Sequence, residues 1–474
     1  MSSALSRIRS AAWIRLLYWI FCFSFAFDFR VALDDPDASG SAAQYLYLAA
    51  ALASGGLIAA LGHRHLLKLP GFYLIALWWV FIAYLFTVAL LGGVDVGRSF
   101  KTGLPWVLLG LGMIVSHVAG STGMKPEAML RPIILAALAS IVWRALYAFA
   151  VQGVTLSTVR TEVQSPALTW MFALAACSLV LRPKLSPAAL IVLVAASGCV
   201  FLSVTRGFLL SVVAAGIAAA ASFAFGVRRG LYRWPDILPR AGVAAAGGAT
   251  VLALLVLVTL ARPEMTARWT DRLFHHGKEQ TSVDISWLSR EAEAKAIWDI
   301  LSDTPGGFVW GKGIGGSYYW DASYYPEMYA VYPDDHLFEE DIWYQGHSIW
   351  TYALFSGGFV GVAFHLAFFL AVVGLSLRSV PTAAEVSLGG RATGRNDAYL
   401  AFLPFITVVA VLAQCATSNY FDERFAGLIL GLMAGLPQRY FNDRYALSRT
   451  VSDRPAHSAT TTHHATPLPT ATAR

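Results

Sequence analysis

Gly71-Phe72-Tyr73-Leu74-Ile75-Ala76-Leu77-Trp78-Trp79-Val80-Phe81-Ile82-Ala83-Tyr84-Leu85-Phe86-Thr87-Val88-Ala89-Leu90-Leu91-Gly92-Gly93 contains no charged residue. About 20 apolar residues in helical form cross a ~30 Å hydrocarbon core. Working outward, comparable stretches lie near 11–30, 42–62, 103–120, 130–152, 165–181, 187–204, 207–227, 241–261, 358–377, 398–417 and 423–437. The expectation is an all-α polytopic membrane protein of about twelve transmembrane helices. Composition agrees: 57% of residues are hydrophobic and only 14% charged, too few to solvate a globule of 474 residues. Fifteen Trp, 19 Tyr and 28 Phe suit rings that settle at a membrane interface. The four cysteines fall inside apolar runs, which writes neither a disulfide framework nor a zinc site.

Loop charges set the expected orientation. With the N-terminus inside, cytoplasmic loops hold Arg64 and Lys68; Lys125 and Arg131; Arg182 and Lys184; Arg228, Arg229, Arg233 and Arg240; and Arg378, Arg391 and Arg395. The first external loop carries Asp34, Asp35 and Asp37 instead. Both termini are then cytoplasmic, and the net charge of +6 belongs to these loops rather than to a nucleic-acid surface. Residues 1–261 form nine spans, 262–346 a large periplasmic loop, 347–437 three more spans, and 438–474 a cytoplasmic tail rich in Thr, Pro and Ala.

Long loops usually carry function. In this one, Ser289 reads as an N-cap, with Glu291 and Lys295 paired four apart on a helix of about 289–302 that stops at Asp303-Thr304-Pro305-Gly306-Gly307. Tyr318, Tyr319, Trp320, Tyr324, Tyr325, Tyr329 and Tyr332 form an aromatic cluster, fitted either to stack on sugars or to anchor the loop at the interface. Asp334-Asp335-His336 and Glu339-Glu340-Asp341 have the oxygen ligands of a divalent-cation site, but an acidic run is more often a solvated face; no metal or other cofactor is expected.

Basic residues on the external side break the charge rule, and each needs a reason. Arg160 precedes the 165–181 span, Arg206 lies in a short turn between two spans, Arg290 begins the loop helix, and Arg144 lies inside an apolar span. An intramembrane charge faces a cavity or a partner by default, although Arg144 also has the reach to snorkel. Four guanidinium groups near one interface suit a diphosphate, whose oxygens they grip bidentately. At the loop's exit stands His347-Ser348-Ile349-Trp350-Thr351-Tyr352-Ala353-Leu354-Phe355-Ser356-Gly357-Gly358-Phe359-Val360-Gly361. A His there is either a general base or a hydrogen-bonded structural group. Gly358 and Gly361 open the helix to a close neighbour, whether protein or lipid.

His-Ser, nine residues, then Gly-x-x-Gly resembles the signature of the O-antigen ligase and polymerase superfamily of bacterial envelopes. Thr205-Arg206-Gly207 is similar to that family's arginine-containing turn, and Gly311-Lys312-Gly313-Ile314-Gly315-Gly316 to its glycine-rich loop. Arg160 with Gln164-Ser165-Pro166 is similar to the family's arginine before an Asn-Pro-Asn-like element, but the asparagines are missing. The resemblance implies a GT-C-like glycosyltransferase in the inner membrane with a periplasmic active site. Its donor would be a glycan on undecaprenyl diphosphate, and in the ligase branch its acceptor a sugar hydroxyl of lipid A–core oligosaccharide. With the residue readings above, the expected catalytic residues are His347, Arg206 and Arg290, and the expected substrate-binding residues are Arg160, Arg144, Gly358, Gly361, Tyr319 and Trp320. A polymerase of the same superfamily needs the same groups. A lipid-linked oligosaccharide flippase would share the spans and basic residues but has no use for the long loop or its His.

Overall fold

The computed structural model describes residues 2–28, 41–67, 71–155, 163–182, 187–203, 205–261, 285–319, 346–388, 398–416 and 418–440, with scattered positions between 263 and 270. The described residues are built from helices joined by turns. In the first half these are α1 (Ser2–Phe23), α2 (Ala42–Leu61), α3 (His63–Leu66), α4 (Gly71–Leu91), α5 (Val96–Ser121) and α6 (Pro126–Leu146). There follow α7 (Ala167–Leu181), α8 (Pro187–Ser203), α9 (Arg206–Arg228) and α10 (Ile237–Ala261). The large loop contributes α11 (Ile285–Ser302) and α12 (Gly307–Trp310), and the chain closes with α13 (Ile349–Ser379), α14 (Ala383–Leu388), α15 (Leu403–Cys415) and α16 (Arg424–Gly435).

Each of the twelve expected stretches contains a helix. Among the described residues, seven helices are long and apolar enough to cross a membrane: α2, α4, α5, α6 with its π-helical continuation to Val151, α9, α13, and Ala398–Cys415, which ends in α15. Ala11–Phe23, α7 and Ala189–Ser203 are shorter apolar helices. Local chemistry sets several starts. The Ser41 side chain accepts from the Gln44 amide while Gln44 reaches back, Asp95 caps α5, and Pro126 occupies the first turn of α6.

The most deeply buried span is α5, and its partner is α16. Gly427, Gly431 and Gly435 recur every fourth residue along α16, and each faces a carbonyl of α5 (Pro105, Leu109, Met113) closely enough to leave no room for a side chain. Small residues at this spacing let two backbones meet without a polar group between them. On the other flank of α5, α4 and α13 run antiparallel, with Trp78 on Phe368 at 4.4 Å and Phe81 on Phe364 at 5.1 Å between ring centroids.

Two expected boundaries move. The loop helix is already formed at Ile285, so Ser289 sits inside it and is not its N-cap. In the sequence Ile285 and Leu288 already carry the helical apolar spacing ahead of Ser289, and the buried Leu288 draws the helix start before the local capping signal. The expected span at 358–377 begins at Ile349, because Ser348 supplies the cap (its hydroxyl accepts from the Trp350 amide) and 349–357 are themselves apolar. Position 358 is instead a break within that helix, with Gly358 at φ 60° and ψ −159°.

Candidate active site

Both His347 and Arg206 lie at the end of the bundle where the large loop leaves α10 and returns to α13. His347 precedes the cap of α13, and its neighbour Ser348 donates to the Cys415 carbonyl at the end of α15 (3.4 Å). Opposite it on α11 is Glu293, only 1% exposed. The Glu293 carboxylate accepts from His347 twice: from the backbone amide (3.0 and 3.2 Å) and from ring Nδ1 (2.9 Å). The buried Tyr318 hydroxyl donates to the same carboxylate. Three donors converge on one acid, which suits an ionised, acceptor-only group. With Nδ1–H donated to Glu293, the neutral imidazole carries its lone pair on Nε2. The ring is 30% exposed while its orienting carboxylate is not. That is the arrangement of a histidine base held in one tautomer by a buried acid.

Below this pair the glycine-rich loop closes on broken α13. Interrupting the helix at Gly358 releases carbonyls that cannot stay unpaired in an apolar setting. The Lys312 amide donates to Phe355 O (2.7 Å), the Gly313 amide to Ser356 O (2.9 Å), and the Tyr84 hydroxyl to Gly357 O (2.8 Å). Close contact demands the glycines: a Cβ at Gly311 would lie 2.6 Å from the Gly357 amide nitrogen, and one at Gly358 would overlap the Val309 carbonyl. The neighbour that Gly358 admits is therefore the backbone of α12, and Gly361, also buried, faces the Ala353 carbonyl of its own helix.

Arg206 is the first residue of α9. Thr205, at the N-cap, makes no side-chain cap; its hydroxyl accepts from the Gln164 side chain and donates to Ser203 O (3.1 Å). A guanidinium beside a helix N-terminus with no side-chain cap favours an anion. Gln164 extends the network, for its carbonyl accepts from Arg144 (2.7 Å). Arg144 neither snorkels nor meets lipid: its side chain, 5% exposed, forms a two-point ion pair with Glu423 in the turn before α16. Next to it, Arg424 bonds Asp28 at the end of α1 (3.2 and 3.4 Å). Tyr420, in the same turn, reaches the Pro166 carbonyl (3.4 Å); burial pushes its hydroxyl pKa up, so it stays a donor.

Arg290 lies one turn before Glu293 on α11 and is half-buried. Tyr319 is exposed, whereas Tyr318, its neighbour in the expected aromatic cluster, turns inward to Glu293. Arg160, Trp320, the remaining loop tyrosines, the Asp334–Asp335 region and the tail from 441 lie outside the described residues. Among the described residues no group of three His, Cys, Asp or Glu has the spacing to hold a metal ion.

Sequence reasoning missed Glu293, Glu423 and Asp28. A signal for Glu293 was present: Ala292, Ala296, Ile297 and Leu301 form the buried stripe of α11, and helical spacing puts residue 293 on it. A carboxylate on an apolar stripe marks a site. No comparable pattern pairs Arg144 with Glu423, 279 residues away. By sequence, the chain matches no protein-family model and no curated protein, so its chemistry is read from its own residues.

Proposed function

We propose that this chain is a membrane glycosyltransferase of the O-antigen ligase type, with twelve crossings in a GT-C-like arrangement and both termini cytoplasmic. The observation that carries the reading is the hydrogen bond from His347 Nδ1 to buried Glu293, which places the lone pair of the neutral ring on Nε2. The donor is a glycan on undecaprenyl diphosphate, and the acceptor a sugar hydroxyl of lipid A–core oligosaccharide on the periplasmic face of the inner membrane.

The acceptor oxygen attacks the anomeric carbon as His347 Nε2 takes its proton. The bond from that carbon to the phosphate oxygen breaks, the diphosphate leaves with the electron pair, and the configuration inverts. Arg206 at the head of α9, with Arg290, neutralises charge growing on the leaving group. Glu293 holds the ring and balances the imidazolium that forms. Arg144, committed to Glu423, supports this end of the bundle and reaches Arg206 through Gln164 and Thr205.

The test is transfer by purified protein in proteoliposomes with both substrates confined to the large-loop side. An enzyme forms glycosylated acceptor, whereas a flippase forms none and defeats the proposal. In cells, deletion that removes all O-antigen bands from lipopolysaccharide while lipid-linked polymer accumulates identifies a ligase. Single-repeat bands identify a polymerase.

A further inference from the structure

The large loop does not stand clear of the apolar bundle. The Tyr84 hydroxyl approaches both the Gly357 carbonyl (2.8 Å) and the Trp310 carbonyl of α12 (3.0 Å). Tyr84 lies seven residues inside the loop-side end of α4, which is roughly 10 Å along a helix. Because α4 and α13 are antiparallel, the Gly358 break and α12 on it sit at that depth, below the end of α4.

At this depth the surface is apolar and continuous from span to loop. Phe359 of α13 is 56% exposed and stacks on Phe308 of α12 at 6.0 Å. Phe308 packs on Trp298 of α11 at 4.6 Å, and Trp298 and Trp310 are each 54% exposed. Farther along α13, Leu366 and Leu370 are exposed at spacings of seven and eleven from Phe359, so one helical stripe carries the same apolar surface down the span. A stripe exposed along a membrane-length apolar helix meets acyl chains, and the exposed rings of Trp298 and Trp310 prolong it onto α11 and α12. Lys295, one turn earlier on the exposed side of α11, and the exposed Ser302–Asp303 turn mark where headgroups begin.

We propose that α11 and α12 form an interfacial membrane anchor, with Trp298 and Trp310 among the acyl chains of the leaflet nearest the large loop. An anchor of this kind sinks about 5–10 Å past the headgroup boundary. It would fix the height of α11, and with it Glu293 and His347, above the lipid. The proposal rests on the chain lying in a membrane and is independent of the transfer reaction.

Depth measurement by spin labelling tests it. In full-length protein with Cys22, Cys177, Cys199 and Cys415 changed to Ala, nitroxides are attached at Trp298→Cys, Trp310→Cys and, as a water-facing reference, Glu291→Cys. In phosphatidylcholine–phosphatidylglycerol vesicles, labels at 298 and 310 should collide several-fold more with oxygen than with a nickel chelate, relative to 291. Equal ratios at all three positions overturn the anchor. So do labels at 298 and 310 that are open to the chelate in vesicles and shielded only by added soluble oligosaccharide, which identifies a carbohydrate surface. A chain with only Trp310→Phe changed checks against disturbance by the labels. Its tryptophan emission should be quenched less than wild type by lipids brominated high on the acyl chain, and unchanged quenching also overturns the anchor.

Discussion

At each end of the bundle a histidine ring is held by an acceptor on another segment, and the acceptors differ in kind. At the end away from the large loop, His117 of α5 bonds the His65 carbonyl at 2.9 Å, and beside it the Gly71 amide donates to Gln438 at 3.0 Å. At the loop end, His347 bonds the Glu293 carboxylate. A carbonyl fixes a ring and does little more. A carboxylate fixes it and also stabilises the imidazolium created when the ring takes a proton. The middle of the bundle supplies a third case: His365 donates to the Gly361 carbonyl of its own helix (2.9 Å), and its Nε2 meets no hydrogen-bond partner among the described residues, inside a box of Trp78, Phe81 and Trp106. Of these three histidines, only His347 joins solvent access to a buried acid.

The strongest way to break this contrast is to change the rings. His347→Gln keeps a side chain of similar reach but removes a useful proton acceptor, and transfer should fall about 10²–10⁴-fold, the usual worth of a general base. His117→Gln, at the carbonyl-held end, should leave transfer within a few-fold of wild type once expression is matched. A fully active His347→Gln protein, assayed for glycosylated acceptor, removes the base and leaves His347 as an orienting group. In the wild type, transfer should decline on acidification as the base protonates.

Arg206→Lys comes next. Lysine keeps the charge but loses the planar fork that grips two phosphate oxygens. Transfer should fall about 10²–10³-fold, the scale of one lost electrostatic contact to a transition state. Unimpaired transfer in the Lys variant reduces Arg206 to a point charge.

Arg144 should respond in stability rather than in donor contact. Arg144→Ala strands Glu423, and breaking a buried pair costs about 3–5 kcal/mol. A thermal-unfolding midpoint several degrees lower, with partial recovery in the double variant Arg144→Ala/Glu423→Ala, is the expected result. No recovery in the double variant would show that the pair is not the unit that matters.

What the sequence made legible follows from range. Apolar runs are local, so each expected stretch contains a helix, and the Ser348 cap and the Gly358 interruption both lie within one quoted stretch. The partner of His347 was not local. Glu293 stands 54 residues away across the large loop, and only the buried stripe of α11 marks it as unusual. Arg144 posed the same problem more sharply, since an isolated arginine in an apolar run announces that it needs a partner without naming Glu423. Gly358 is likewise remote in sequence from the α12 backbone it admits. Gly358 is an expected substrate-binding residue, and in the fold the same residue meets the α12 backbone that packs the broken helix against the loop.

The smallest expected effect tests the carboxylate end most finely. Tyr318 donates to Glu293 and touches no part of the imidazole in the described contacts, so Tyr318→Phe keeps the ring and removes one of the carboxylate's three donors. A hydrogen bond to a charged group contributes about 1.5–3 kcal/mol, but Glu293 retains both bonds from His347, so the low end applies. Transfer should drop by roughly tenfold, since 1.4 kcal/mol is tenfold in rate. The telling readout is the pH profile. With one donor fewer sharing its charge, Glu293 pulls harder on the His347 Nδ1 proton and favours the imidazolium, so the acidic limb of the transfer profile should move to higher pH. A purely structural Tyr318 would lower the rate equally at every pH. A flat ratio of variant to wild type across that range therefore places Tyr318 with the packing of α11, and leaves Glu293 to orient the histidine without it.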